Sequence, residues 1–117
     1  MIPRKYDLED RTLDFARDVR AFIKQLPKTP GNTEDGKQVL RSSGSVGANY
    51  IEANESLSKK DFLMRIKICR KEAKESMYWL RLVDVRESVT LEQERAILER
   101  EARELMMILS SIMRKSE

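Results

Sequence analysis

The chain has 117 residues, a net charge of +3, 37% charged and only 6% aromatic residues. That length suits one domain with a single core, and an excess of Glu, Lys, Arg, Leu and Ala at helical spacing points to an all-α fold. One cysteine excludes an intrachain disulfide, the absence of histidine removes the commonest general base, and no apolar run nears the ~18 residues of a membrane span.

The first predicted helix runs from about Leu8 to Leu26. Leu8, Thr12, Phe15, Val19, Phe22 and Leu26 fall at spacings of four and three, the pattern of one buried helical face. Asp7 is placed to cap its start and Pro27 to stop it. The N-terminal run, MIPRKYDLED, lacks the apolar core of a signal peptide, so a soluble, cytoplasmic protein is expected. Pro27 to Asn32, PKTPGN, has the composition of a turn-rich loop.

The second helix is expected over about 33–57, with Val39, Ser43, Val46, Tyr50 and Leu57 on one side. Its middle is unusually thin: Ser42, Ser43, Gly44, Ser45, Gly47 and Ala48. A glycine inside a helix costs about 1 kcal/mol against alanine, so Gly44 and Gly47 require a packing or contact reason.

The third helix is expected over about 58–86. Ser58 and Asp61 form an S-x-x-D version of the capping box. Phe62, Ile66, Cys69, Ala73, Ser76, Leu80 and Val83 then alternate four and three, a heptad seam of the bundle type. The fourth helix is expected over about 90–114, with a second capping box at Thr90. Leu91, Leu98, Ala102, Leu105, Leu109 and Ile112 form its seam. Short connections between four such segments predict one domain over 1–117, an antiparallel up-and-down four-helix bundle.

Enzymatic chemistry is poorly supported, and no cofactor or metal site is expected. Di-metal carboxylate bundles use Glu-x-x-His, which this chain cannot supply. Glu52 and Glu55, with Glu72 and Glu75, could approach as a carboxylate cluster; solvated or ion-paired side chains are the plainer explanation. Cys69 lies on a seam and reads as a buried, inert thiol.

The basic residues say more. Lys60, Lys67, Lys74 and Arg81 recur every seven positions, with Lys71 and Tyr78 beside them. A line of cations over about 30 Å of helix would follow a phosphate backbone; the alternative is a solvated face that only confers solubility. Met106, Met107, Ile108 and Met113 widen the fourth helix beyond what one core face needs. They predict an interface with another subunit, or a central place for that helix in the bundle.

The run RSSGSVGANYIEANESLSKKDF resembles the signature of a bacterial four-helix bundle family named after the 23S rRNA intervening-sequence protein. That signature reads R-x-S-x-S-I/V-x-A-N-I-x-E-G, then a polar stretch, then S-K-K-E/D-F. Arg41, Ser43, Ser45, Val46, Ala48, Asn49, Glu52, Ser58, Lys59, Lys60, Asp61 and Phe62 match it, and YDLEDRTLDFARDV is similar to the family's first helix. The chain departs from it at Ala53 and Glu55, where the family often has Gly. The resemblance covers about residues 6–83. It implies a bundle that assembles into a ring, typically a homopentamer. It also implies kinship with accessory proteins of diversity-generating retroelements, which bind a reverse transcriptase and nucleic acid. The resulting expectation is a non-enzymatic homo-oligomer that binds RNA or DNA, or a partner such as a reverse transcriptase, through its basic face. The alternative is a protein-interaction scaffold without nucleic-acid binding.

Overall fold

The computed structural model describes residues 7–117. Residues 1–6, which include Tyr6 of the family-like start and the first residues of the expected domain, lie outside the described residues. Four helices follow one another: α1 (Leu8–Gln25), α2 (Pro30–Asn54), α3 (Lys59–Leu82) and α4 (Val89–Ser116). Each packs on its neighbour in the chain, and α1 closes onto α4. The connections span only residues 26–29, 55–58 and 83–88, so consecutive helices must run antiparallel. Among the described residues there is no strand, and no helix is long and apolar enough to cross a membrane.

The caps explain where the helices begin. Asp7 accepts from the Asp10 N–H at 2.9 Å, and Ser58 accepts from the Asp61 N–H at 3.0 Å. Two starts differ from the sequence expectation. α2 begins at Pro30, inside the expected loop, because Thr29 caps it by accepting from the Asn32 N–H at 3.1 Å. Proline fits a first helical position, where its missing N–H has no partner to lose. α4 is capped by Ser88, which accepts from the Leu91 N–H at 3.1 Å, so Thr90 lies within its first turn and forms no cap.

Two ends differ as well. α2 stops at Asn54, which leaves Leu57 off the seam and 99% exposed. α3 stops at Leu82, and residues 83–88 form a loop in which Arg86 adopts a positive φ of 53° and donates its N–H to Asp84 Oδ1 at 2.7 Å.

The core is the seam of every helix turned inward. Phe15, Val19, Phe22, Val39, Val46, Ile66, Cys69, Ala73, Leu80, Leu98, Leu105 and Leu109 are buried. Tyr50 and Phe62, expected in that core, are only half-buried. Thr12 packs against Gly47, so in an antiparallel pair Leu8 lies near the level of Ile51. Only the few residues of α2 beyond Ile51 therefore run past the start of α1.

The α2–α3 contact is polar at its centre. Ser42 and Ser76 share a buried hydrogen bond of 2.8 Å, and the buried Ser43 donates to the Leu40 carbonyl at 3.3 Å. Asn49 donates to the Ser45 carbonyl at 2.9 Å and accepts from Arg65 Nη1 at 3.2 Å. At the opposite end, Asn32 donates through Nδ2 to the carbonyls of Pro27 at 2.8 Å and Asp84 at 2.9 Å, and its Oδ1 accepts from the Asp84 N–H at 2.8 Å. One buried side chain thus fastens two loops together.

Candidate nucleic-acid interface

The heptad seam of α3 fixes which of its residues face outward. With Ile66, Cys69, Ala73 and Leu80 inside, the helical period leaves Lys60, Lys67, Lys71, Lys74 and Tyr78 exposed on one side. Lys67, Lys71 and Lys74 line a groove of about 700 Å³ between α3 and α4, together with Arg70. Met64, Ile68 and Met106 supply its apolar surface. Among the described residues, none of these four cations makes an ion pair with a carboxylate, although Lys71 acts on the neighbouring Glu72 from beyond contact distance.

The two ends of the expected stripe behave differently. Lys60 sits in the first turn of α3, exposed and outside the groove. Arg81 is tied to Glu99 of α4 at 3.3 Å, an oxygen that Arg103 also approaches at 3.6 Å. Arg70, which sequence reasoning did not single out, is half-buried on the α4 side of α3. Its signal was available: positions 67, 70, 71 and 74 are the i, i+3, i+4, i+7 set of one helical face.

The other side of α4 has the opposite charge. Between α1 and α4, two adjoining grooves of about 250 and 200 Å³ share Asp18, Ile97 and Leu98. Asp14, Glu94, Glu101 and Glu104 also line them, against one cation, Arg100. Arg11 holds Glu101 with two bonds of 2.7 and 2.8 Å and reaches Glu104 at 3.3 Å, which keeps its guanidinium charged above the ordinary range. The Asp18 carboxyl is pushed up by burial and then by the negative charges of Asp14 and Glu101. Ile97 stands 63% exposed on this face.

The remaining candidates disperse. Met106 lines the basic groove; Met106 and Met113 pack against the core, Met107 is 60% exposed and Ile108 is half-buried. Since successive helical residues turn by about 100°, Met106 and Ile108 point to nearly opposite sides of α4, and the four make no single patch. Glu52 and Glu55 are exposed at the end of α2. Glu72 and Glu75 lie further along the α2–α3 contact: Glu75 accepts from Trp79 Nε1 at 3.1 Å and pairs with the exposed Arg41 at 3.7 Å. The four carboxylates do not converge, and among the described residues no group of three or more His, Cys, Asp or Glu could hold a metal ion.

Glu72 keeps one buried oxygen, Oε2, without a hydrogen-bond partner among the described residues. Its carboxyl is pushed up by burial and then by Glu75. Burial also drives the Cys69 thiol up to about 12.

The family model described as 23S rRNA-intervening sequence protein matches residues 4–111. Among solved structures, the crystal structure of a protein with unknown function from the S23 ribosomal protein family, from Bacteroides thetaiotaomicron, is similar to this chain with a TM-score of 0.75. The two are 32% identical, and the alignment covers 92% of this chain and 98% of that one. No curated protein matches.

Proposed function

The chain belongs to the 23S rRNA-intervening sequence protein family, and from that premise we propose that it is a non-enzymatic, self-associating bundle that binds RNA or DNA through the cations of α3. The observation that carries this proposal is the α3–α4 groove, which Lys67, Arg70, Lys71 and Lys74 line together, none of them in an ion pair among the described residues. Cations left unpaired by the fold gain by meeting phosphates, and each phosphate neutralised releases counterions. Three of the four are lysines, point charges without the planar fork that reads a base edge, so binding is sequence-tolerant.

The resemblance to retroelement accessory proteins extends the proposal to a homopentamer and to a reverse transcriptase as partner. The exposed Met107 and Ile97 supply apolar surface that self-association would cover. A cytoplasmic setting goes with this, where a lone thiol such as Cys69 stays reduced.

A titration of structured RNA and of duplex DNA against salt tests the proposal. Binding at about 50 mM salt should weaken steeply with added salt, and the joint change Lys67→Glu, Lys71→Glu, Lys74→Glu should abolish it with helicity unchanged. No binding to either nucleic acid would leave the scaffold as the better account. The apolar lining of the same groove, Met64, Ile68 and Met106, would then suit a protein helix.

A further inference from the structure

Lys67, Lys71, Lys74 and Tyr78 form an i, i+4, i+7, i+11 set, the repeat of a single helical face. Tyr78 is 57% exposed. It stands one turn beyond Lys74, about 6 Å further along the helix axis. After it comes Arg81, whose charge Glu99 already engages at 3.3 Å. The run of cations without an ion pair among the described residues thus ends in an aromatic ring. That ring has a fixed neighbour. Trp79 makes a T-shaped contact with it, the centroids 5.0 Å apart and the planes at 78°. The half-buried Trp79 donates through Nε1 to Glu75 at 3.1 Å, and Glu75 pairs with Arg41 of α2 at 3.7 Å.

We propose that this surface takes single-stranded nucleic acid in preference to duplex, with phosphates at Lys67, Lys71 and Lys74 and a base stacked on Tyr78. The inference rests on the proposed function and adds to it which form of nucleic acid the site selects. The cations alone would choose the other form. A duplex carries one negative charge per about 1.7 Å of its axis, and a single strand carries fewer, so a purely electrostatic surface favours the duplex. An exposed ring reverses that order. Inside a duplex each base is already stacked and turned inward, whereas an unpaired base has a free face to lay on the phenol. Every base has such a face, so the contact is as sequence-tolerant as the lysines beside it.

Trp79 is the only tryptophan and touches Tyr78, so its emission reports what stacks there. The full chain is titrated with three probes: oligothymidine of about 16 nucleotides, a mixed-sequence DNA duplex of that length, and a strand of abasic deoxyribose phosphates of that length. Oligothymidine should bind wild type more tightly than either other probe and should alone change Trp79 emission. Tyr78→Ala should weaken oligothymidine binding by about 5- to 100-fold and leave the duplex and the abasic strand where they were. Tyr78→Phe, which keeps the ring face, should restore the wild-type affinity for oligothymidine.

An abasic strand that binds wild type as tightly as oligothymidine would overturn the proposal. So would a Tyr78→Ala change that weakens single strand and duplex equally, or one that weakens neither. In those cases the lysines still hold phosphate and the proposed function stands. If no probe binds at about 50 mM salt, where screening is weak, both fall together. Should Tyr78→Ala fail to fold by circular dichroism, the abasic strand on wild type and the Tyr78→Phe variant decide the question.

Discussion

Thr12 and Gly47 set how closely α1 approaches α2: a Cβ on residue 47 would lie 2.8 Å from Thr12 Oγ1 and 3.2 Å from Thr12 Cβ. Thr12 is buried and its hydroxyl donates to the Glu9 carbonyl at 3.0 Å, so it cannot simply turn aside. Gly44 is different. A Cβ there meets only the end of Arg20 at 3.6 Å, an ordinary contact. Gly47→Ala should therefore destabilise by about 1–3 kcal/mol through overpacking, although alanine is the better helix former. Gly44→Ala should stabilise by up to about 1 kcal/mol, since only the propensity gain applies. Urea unfolding of the two variants checks this; shifts of the same sign would contradict it.

Asn32 makes three hydrogen bonds that join the loop before α2 to the loop after α3. Asn32→Ala leaves the Asp84 N–H and two carbonyls without that partner, a loss of about 2–3 kcal/mol. Asn32→Asp should be at least as damaging, because a carboxylate would face the Pro27 and Asp84 carbonyl oxygens. Thermal melts of both variants provide the measurement, and an unchanged midpoint for Asn32→Ala would remove the clamp from the account.

The fold was legible where pattern and capping agreed. The α3 seam from Ile66 to Leu80 is buried along its length, and Ser58 caps as its spacing implied. The start of α2 was hidden because Pro30, Gly31 and Asn32 are turn residues by type, while proline at a first helical position and a buried asparagine are tertiary facts. Arg70 was readable from helical spacing but lies off the strict seven-residue repeat. The acidic face was not readable at all. Asp14 and Asp18 belong to α1, Glu94, Glu101 and Glu104 to α4, and each set alone resembles any solvated helix surface. Only the packing of α1 on α4 makes one groove of them.

Glu72 carries a sign that can be tested. Its carboxyl is raised above the ordinary 4.5, first by burial and then by Glu75. The folded chain therefore holds this proton to higher pH than the unfolded chain does. As pH rises through the window above 4.5, the unfolded state ionises first and the side chain's contribution to stability is lost. Glu72→Gln has no such proton. The stability difference between the variant and wild type should move in favour of the variant between pH 4 and pH 7, as read by urea unfolding at both pH values. A difference that does not change with pH would mean that Glu72 is no more buried than an ordinary surface carboxylate.

Cys69 follows the same linkage at the other end of the scale. Burial raises its thiol from 9.0 to about 12. Above pH 9 the unfolded thiol ionises while the folded one does not, so stability falls as pH rises from 9 towards 12. Near neutral pH the folded thiol should resist alkylation and react only as the chain opens. Alkylation that proceeds at the rate of a free thiol in the folded protein would show that the α3 seam is open at this point.

The nucleic-acid proposal distinguishes two arginines that the sequence does not. Arg70 lines the α3–α4 groove and makes no ion pair among the described residues, whereas Arg81 is held by Glu99 at 3.3 Å. A phosphate at Arg81 would have to break that pair, and a phosphate at Arg70 has nothing to displace. Arg70→Ala should weaken RNA or duplex DNA binding and flatten the log–log salt dependence by about 0.9, the share of one duplex phosphate that is no longer neutralised. Arg70→Lys keeps the charge and should keep most of the slope. Arg81→Ala should change affinity and slope little. Fluorescence anisotropy across a salt series separates the three. If Arg81→Ala matches Arg70→Ala, the binding surface is the whole seven-residue stripe from Lys60 to Arg81 and not the groove. If neither variant changes the slope, the phosphates lie elsewhere on the protein.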